Sequence, residues 1–381
     1  MKTDSSIARL PAPLLERFMR DVFIGLGVPH ADAAICANVL IQADRLGFDS
    51  HGISRLKPIY YDRIRAGTQL ARTRCRTVRN RGATAVLDGG NGMGHVVAHR
   101  AMTLAIQKAK THGLGMVAVR NSTHFGIAGY YPLMAVRAGM IGLCGTNARP
   151  SIAPTFGVEN MLGTNPLTFA LPTGDKFPFL LDCATSIIQR GKVEIHAKLD
   201  QPLPKGWVIS HDGSFQTDPH AVLANLIAGT AALLPLGGAG EAFAGYKGYG
   251  YATVVEILSA ALQQGAFLHQ LSGRDARGRA IPIPIGHFFL AIDIRHFIPL
   301  PAFKKTAGAI LRRLRASQKA PGQKRIYTAG EKEYLTWQER RKKGVPVNRE
   351  TRREMIAMRD ELGLTKYRFP FEAKSRGKRG A

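Results

Sequence analysis

Apolar side chains recur at helical spacing through "APLLERFMRDVFIGLG" and "ADAAICANVLIQADRLG", two runs broken by "GVPH", so two amphipathic helices are predicted between residues 12 and 45. "LKPIYYDRIRAG" has the same period and predicts a third helix, closed by Gly67. From Thr77 the texture changes. "TAVLDGG" and "GMVAVRNS" are compact apolar runs of strand character, and "NGMGHVVAHRAMTLAIQKAKTHG" between them returns to helical period, which predicts an α/β unit. Strand-like and turn-rich pieces then alternate through "MIGLCGTNARPSIAPTFG", "NPLTFALPTG", "FPFLLDCATS" and "GWVISHDGSFQTD". Helical period resumes at "GYATVVEILSAALQQG", "GHFFLAIDIRHF" reads as a late strand, and from Phe303 the chain is mainly helical and basic.

Strands in the middle with helices at both ends predict an α+β fold in which the two ends pack together. The divisions expected are a helical segment over 1–75, an α/β domain over 76–302, a helical segment over 303–370 that packs on the first, and a disordered basic tail over 371–381. No internal repeat is present.

Composition narrows the class. The 381 residues suffice for two or three subdomains, with 45% hydrophobic and 21% charged residues as in soluble globular proteins. The N-terminus lacks a continuous apolar segment, and no window is long and apolar enough for a membrane span, so a cytoplasmic protein is expected. Cys36, Cys75, Cys144 and Cys183 are scattered, without C-x-x-C spacing or disulfide-scaffold density, and read as small buried hydrophobes. The net charge of +26 is concentrated late: residues 303–381 hold 23 Lys and Arg against 8 Asp and Glu. None of those runs interleaves aromatic residues or carries a zinc-finger spacing, which argues against nucleic acid as the partner.

Chemistry concentrates in a few stretches. "GFDSHGISRL" places Asp49, Ser50, His51 and Arg55 within seven residues of one another. The ordinary reading is helix capping by Asp49 or Ser50, with His51 on the surface. "LDGGNGMGHVVAHRAM" suggests a dinucleotide loop, but the G-x-G-x-x-G fingerprint needs its third glycine one residue beyond Gly94, and the next strand ends in Arg120 where an acid would bind the ribose. A tight turn is the default there. His95 and His99 stand four apart without a third ligand, so solvated helix histidines are expected and no metal site. "RNSTHFGIAGYYP" puts His124 just past a strand end, between glycines. "LPLGGAGEAFAGYKGYGYA" is glycine-dense and contains Lys247, either a phosphate cradle or a flexible connection before a helix.

Taken in order, "DSHGISRL", "NSTHFGIAGYY", "GTNPLTFALPT", "LDCATS", "RGKVE", "PKGWV", "PLGGAGEAFAGYKGYG", "HFFLAID" and "AGEKE" resemble the malate/L-lactate dehydrogenase family, NAD(P)-dependent 2-hydroxyacid oxidoreductases distinct from the Rossmann-type enzymes. The resemblance runs from Asp49 to about Glu333. It implies a non-Rossmann fold with a largely antiparallel cofactor-binding sheet and a helical domain built from both chain ends, NAD or NADP as cofactor, and a homodimer. It also implies that His51 and Arg55 line the substrate cleft with Ser50 orienting, that His124 faces them, and that either histidine is the general acid/base. Asp182 and Ser186 match a cofactor-proximal strand, with Asp182 a further catalytic candidate able to hold a histidine tautomer. Lys247, Gly330 and Glu331 match positions that contact the dinucleotide. "NARPSIAPTFGVENMLGTNPLTF" looks most like the malate dehydrogenases of the family, so malate/oxaloacetate or lactate/pyruvate is the expected pair. The alternatives are reduction of another 2-oxo acid or cyclic imino acid, of sulfolactate, diketogulonate or piperideine-carboxylate type, or a catalytically inactive relative that binds anions or nucleic acid.

Overall fold

The structure, a computed structural model, describes residues 7–372. Most of the expected basic tail, from residue 373, lies outside the described residues. The described chain opens on a short strand, β1 (Ala8–Leu10), then α1 (Ala12–Gly25) and α2 (His30–Leu46). Pro13 sits in the first turn of α1, where a missing N–H costs nothing, and Leu15, Phe18, Met19 and Val22 form its buried stripe. Gly47, at φ 91°, caps α2 in the left-handed conformation and turns the chain into the Asp49–Arg55 motif.

The third helix differs from its expectation. A 3-10 turn, Ile53–Arg55, leads into a π-helical stretch, Leu56–Tyr61, and only then into one α-helical turn, α3 (Asp62–Arg65). Pro58 lies in that wide stretch and has no N–H for an ordinary i→i−4 bond. Then come β2 (Arg76–Arg81), β3 (Thr84–Asp88), α4 (Gly94–His112), β4 (Leu114–Ser122), α5 (Tyr130–Arg137), β5 (Met140–Thr146), β6 (Leu167–Leu171) and β7 (Phe179–Cys183). Further on lie α6 (Arg190–Lys198), β8 (Val208–Ser210), α7 (Pro219–Ala228), β9 (Ala231–Leu233), α8 (Gly245–Ala260), β10 (Ile285–Asp293), α9 (Leu300–Ala316), α10 (Glu331–Lys343), β11 (Val345–Val347) and α11 (Arg349–Glu361).

Seven strands form the main sheet in the order β2-β3-β4-β10-β5-β6-β7. Only β3 and β4, joined through α4, pair in parallel, so the largely antiparallel sheet implied by the resemblance is present. The late strand β10 runs between β4 and β5, buried along most of its length. β2 is exposed throughout and arginine-rich, a charged outer strand of the kind that discourages edge pairing. Two short strands absent from the periodicity, β1 and β11, pair antiparallel and tie the two chain ends together. One apolar cluster unites Leu15, Phe18, Met19 and Val22 of α1 with Met355 and Met358 of α11 and with Tyr367 and Phe369 beyond it. No helix among the described residues is long and apolar enough to cross a membrane.

Candidate active site

Asp44, in the last turn of α2, is buried and accepts the backbone N–H of Ile53 at 2.9 Å. Its burial raises its pKa to about 8. The chain between folds over it so closely that a Cβ on Gly52 would lie 1.9 Å from Asp44 Oδ1. Glycine is therefore required in "DSHG" by close approach. From the other side Arg340 of α10 grips the Asp49 carboxylate with two guanidinium nitrogens, one at 2.8 Å, and donates to the Asp44 carbonyl at 2.5 Å. Asp49 is thus an anchor for a loop, and the capping role expected of it is replaced. Neither Asp49 nor Ser50 caps a helix here.

Ser50 Oγ and His51 Nδ1 share a hydrogen bond of 2.8 Å. Arg55 donates from Nε to the Ser50 carbonyl at 2.5 Å, and its terminal nitrogens have no protein partner among the described residues. His124 enters from the segment after β4, and its ring stacks on His51 with centroids 5.9 Å apart. Its Nδ1 accepts the Gly126 N–H at 3.3 Å, so the Tyr60 hydroxyl, 2.6 Å away, donates to the same nitrogen and the neutral ring carries its proton on Nε2. Burial, reinforced by the Arg55 charge, pulls the His51 pKa down to about 4. Burial holds His124 lower than usual too, with further lowering by His51, His95, Arg63 and Arg55. Both rings are neutral at pH 7.

Behind this pair stands His95, and here an expectation fails. The residue is fully buried, tilted against Tyr60 with centroids 4.6 Å apart, and neither ring nitrogen has a partner. Its place in the first turn of α4 points it inward because that helix end packs on the loop after β4: a Cβ on Gly94 would fall 2.2 Å from the Thr123 carbonyl. His99 is half-buried. The "GNGMG" stretch is the expected turn, with Gly90 and Asn91 at positive φ. Of the cysteines, Cys36 and Cys144 are buried, and Cys75 and Cys183 are partly exposed.

A cavity of about 250 Å³ is lined by Ser50, His51, Arg55, Phe125, Gly126, Thr164, Asp182 and Arg190 among others. Asp182, on β7, accepts the Gly129 N–H at 2.7 Å and the Thr168 hydroxyl at 3.2 Å, and burial raises its pKa. It holds no histidine, which corrects that part of the expectation. Next to it lies a larger cavity of about 750 Å³, sharing Phe48, Ser50, Asp182, Ala184, Gln189 and Gly191 and extending to Ser186, Lys192 and Trp207. The Ser186 hydroxyl is buried there without a partner.

Three expected cofactor residues lie elsewhere. Lys247 stands exposed in the first turn of α8, its ammonium 5.8 Å from the Tyr246 ring centre, and lines neither cavity. Gly330 and Glu331 begin α10: Gly330 has φ 89°, with Pro178 against it, and buried Glu331 pairs with Arg325 and accepts the Thr328 N–H at 3.3 Å. Sequence reasoning missed Asp44, Tyr60, Gln189 and Arg340, and set His95 on the surface. Only Tyr60 had a usable signal, as an aromatic beside the "DSHGISRL" motif. The others depend on which distant segments meet. Among the described residues, no three His, Cys, Asp or Glu gather so as to hold a metal ion.

A fold with this sheet, and with His51 and Arg55 lining one small cavity, is that of a dehydrogenase family: the model described as malate/L-lactate dehydrogenase matches residues 10–356, and the chain belongs to that family. It is a malate/lactate dehydrogenase-type oxidoreductase, NAD(P)-dependent. The malate dehydrogenase of Pyrococcus horikoshii is 42% identical over 95% of this chain and 97% of its own. The L-sulfolactate dehydrogenase of Methanocaldococcus jannaschii is 38% identical over 92% and 96%. The crystal structure of malate dehydrogenase from Entamoeba histolytica superposes with a TM-score of 0.91 at 42% identity, covering 96% of this chain and 99% of that one.

Proposed function

We propose that the smaller cavity takes a 2-keto or 2-hydroxy acid, with malate and oxaloacetate as the leading pair, and that the larger one takes part of the NAD(P). The observation that carries this reading is that His51 and Arg55 line one cavity of about 250 Å³, a proton carrier beside a guanidinium whose terminal nitrogens are unspent. Arg55 binds the substrate carboxylate as a planar two-pronged donor. The Ser50 hydroxyl accepts the Nδ1 proton of His51, leaving Nε2 as the base for the C2 hydroxyl. His124, held as the Nε2–H tautomer by Tyr60 and Gly126, polarises the C2 oxygen. In reduction His51 must first gain a proton; the substrate carboxylate offsets the Arg55 charge that disfavours it.

The cofactor, when bound, supplies or accepts the hydride. The orphaned Ser186 hydroxyl and Lys192 in the larger cavity fit such a ligand, one by hydrogen bonding and the other as counter-charge to phosphate. Lys247, Gly330 and Glu331 remain assigned to the dinucleotide through the family resemblance alone. With Lys192 and Arg190 at hand and no ribose-binding acid after the strand at Arg120, NADPH is expected to bind at least as well as NADH at low salt. A homodimer is supported by apolar side chains left open, among them Phe156 and Phe243, each 80% exposed.

The test is turnover on a panel of 2-keto acids (oxaloacetate, pyruvate, sulfopyruvate and a cyclic imino acid) with NADH and NADPH at low and high salt. Turnover fastest with oxaloacetate supports malate chemistry; the highest kcat/KM with sulfopyruvate would move the assignment to the sulfolactate branch.

A further inference from the structure

A cavity of about 230 Å³ that shares no wall residue with the other two reaches Thr123, the neighbour of His124, and is lined also by Arg63, Thr68, Gln69, Arg149, Ser272, Gly273 and Arg274, with Ala280, Ile281 and Ile283 completing its wall. Three guanidinium-bearing residues meet there, and none of the lining residues is acidic. Arg274 spends one nitrogen on the Gly278 carbonyl at 2.7 Å. The Arg63 and Arg149 guanidiniums have no hydrogen-bond or ion-pair partner among the described residues.

Like charges gathered around one hollow repel one another, and Arg63, the partly buried one, also loses hydration, a cost normally offset by an opposite charge. Arg63 shows the strain: burial, and then the charge of Arg149, pull its pKa below the usual guanidinium range. The Thr68 and Ser272 hydroxyls in the same wall each donate to a backbone carbonyl, of Arg63 and of Arg274, at 3.3 Å, so the guanidiniums are the donors an oxyanion meets there. Arg63 and Arg55 both disfavour a positive charge on His124.

We propose that Arg63 and Arg149 form a second oxyanion site in this cavity, next to the segment that carries His124. It rests on the substrate reading above and deepens it: its occupant is a small carboxylate, sulfonate or phosphate group, and a two-headed acid can place its distal anionic group there. The volume suits one such group and excludes a nucleotide. Dicarboxylates and sulfo acids are then selected over monocarboxylates by Arg63 and Arg149, whereas Arg55 serves every 2-keto acid alike.

The experiment uses Arg149→Gln and Arg63→Lys, the first an exposed position whose change leaves the core untouched. Kinetics with oxaloacetate and pyruvate are combined with thermal unfolding in sulfate at constant ionic strength. If the occupant is the substrate's distal group, Arg149→Gln lowers kcat/KM for oxaloacetate about tenfold through KM and leaves pyruvate unchanged. If it is a free anion, discrimination stays and the sulfate-dependent rise in Tm of the wild type disappears in both variants. Equal effects on the two keto acids, together with an unchanged sulfate response, overturn the site. A protein inactive with every keto acid that still loses its sulfate response on mutation would sink the substrate reading while the oxyanion site stands.

Discussion

At the scale of single residues, the proposed mechanism divides labour between two histidines that look alike in sequence. Both are kept neutral by burial, but their hydrogen bonds differ: His51 shares Nδ1 with a serine, and His124 has Nδ1 occupied by two donors. His51→Ala is therefore expected to lower kcat by about 10²-fold or more. The same loss is expected of His124→Ala, but only the His51 variant should also lose the acid limb of the kcat/KM profile, as a pH series would show. Arg55→Lys keeps the charge and gives up the fork. Its KM for every 2-keto acid should rise while the Kd for NADPH, read by nicotinamide fluorescence, stays put; equal damage to both would move Arg55 out of the substrate cavity.

At the scale of elements, the loop from Asp49 to Arg55 owes its shape to two clamps that come from different ends of the chain. Asp44 of α2 ties down Ile53, and Arg340 of α10 ties down Asp49, so the serine and histidine between them have little freedom. Gly52→Ala would drive a methyl group into Asp44 Oδ1. Overpacking of this kind costs about 1–3 kcal/mol, and the loop has no room to yield without releasing Asp44. Urea unfolding should report that loss, and turnover should fall by more than His51→Ala alone explains if the whole loop shifts. Wild-type stability in the variant would mean that the loop is looser than its contacts imply.

At the scale of the whole molecule, buried histidines make stability depend on pH. His51 is held near pKa 4, and His95 and His287 near 3. Each is below the unfolded value of about 6.5, so the unfolded chain binds more protons over that interval. Their contribution is fully present above pH 6.5 and is lost as pH falls towards 4 and then 3. Asp44 and Asp182 act in the opposite sense, because their raised pKa values favour the folded form at low pH. The three histidines, joined by His124, outnumber them. Urea midpoints should therefore drop between pH 7 and pH 5, and a flat profile would show that water reaches the buried rings.

Period and motif order were enough to place α1, α2, α4, α8 and most strands of the main sheet, because each buries one face and so repeats its apolar residues locally. They also singled out His51, Arg55 and Asp182, which line one cavity, and His124, which stacks on His51, because these stand in short stretches whose chemistry is visible side by side. What sequence missed depends on contacts between distant positions. β1 and β11 are three residues each, too short to show a period, and exist because the two chain ends meet. His95 has the look of a surface residue on an amphipathic helix, yet it is buried because α4 begins against the loop after β4. Arg63 and Arg149 lie 86 positions apart and become a pair only when the loop after β5 folds back over α3. Local pattern determines which face of an element is apolar; only tertiary packing determines which polar groups are left facing one another, and with them the protonation states of the buried histidines.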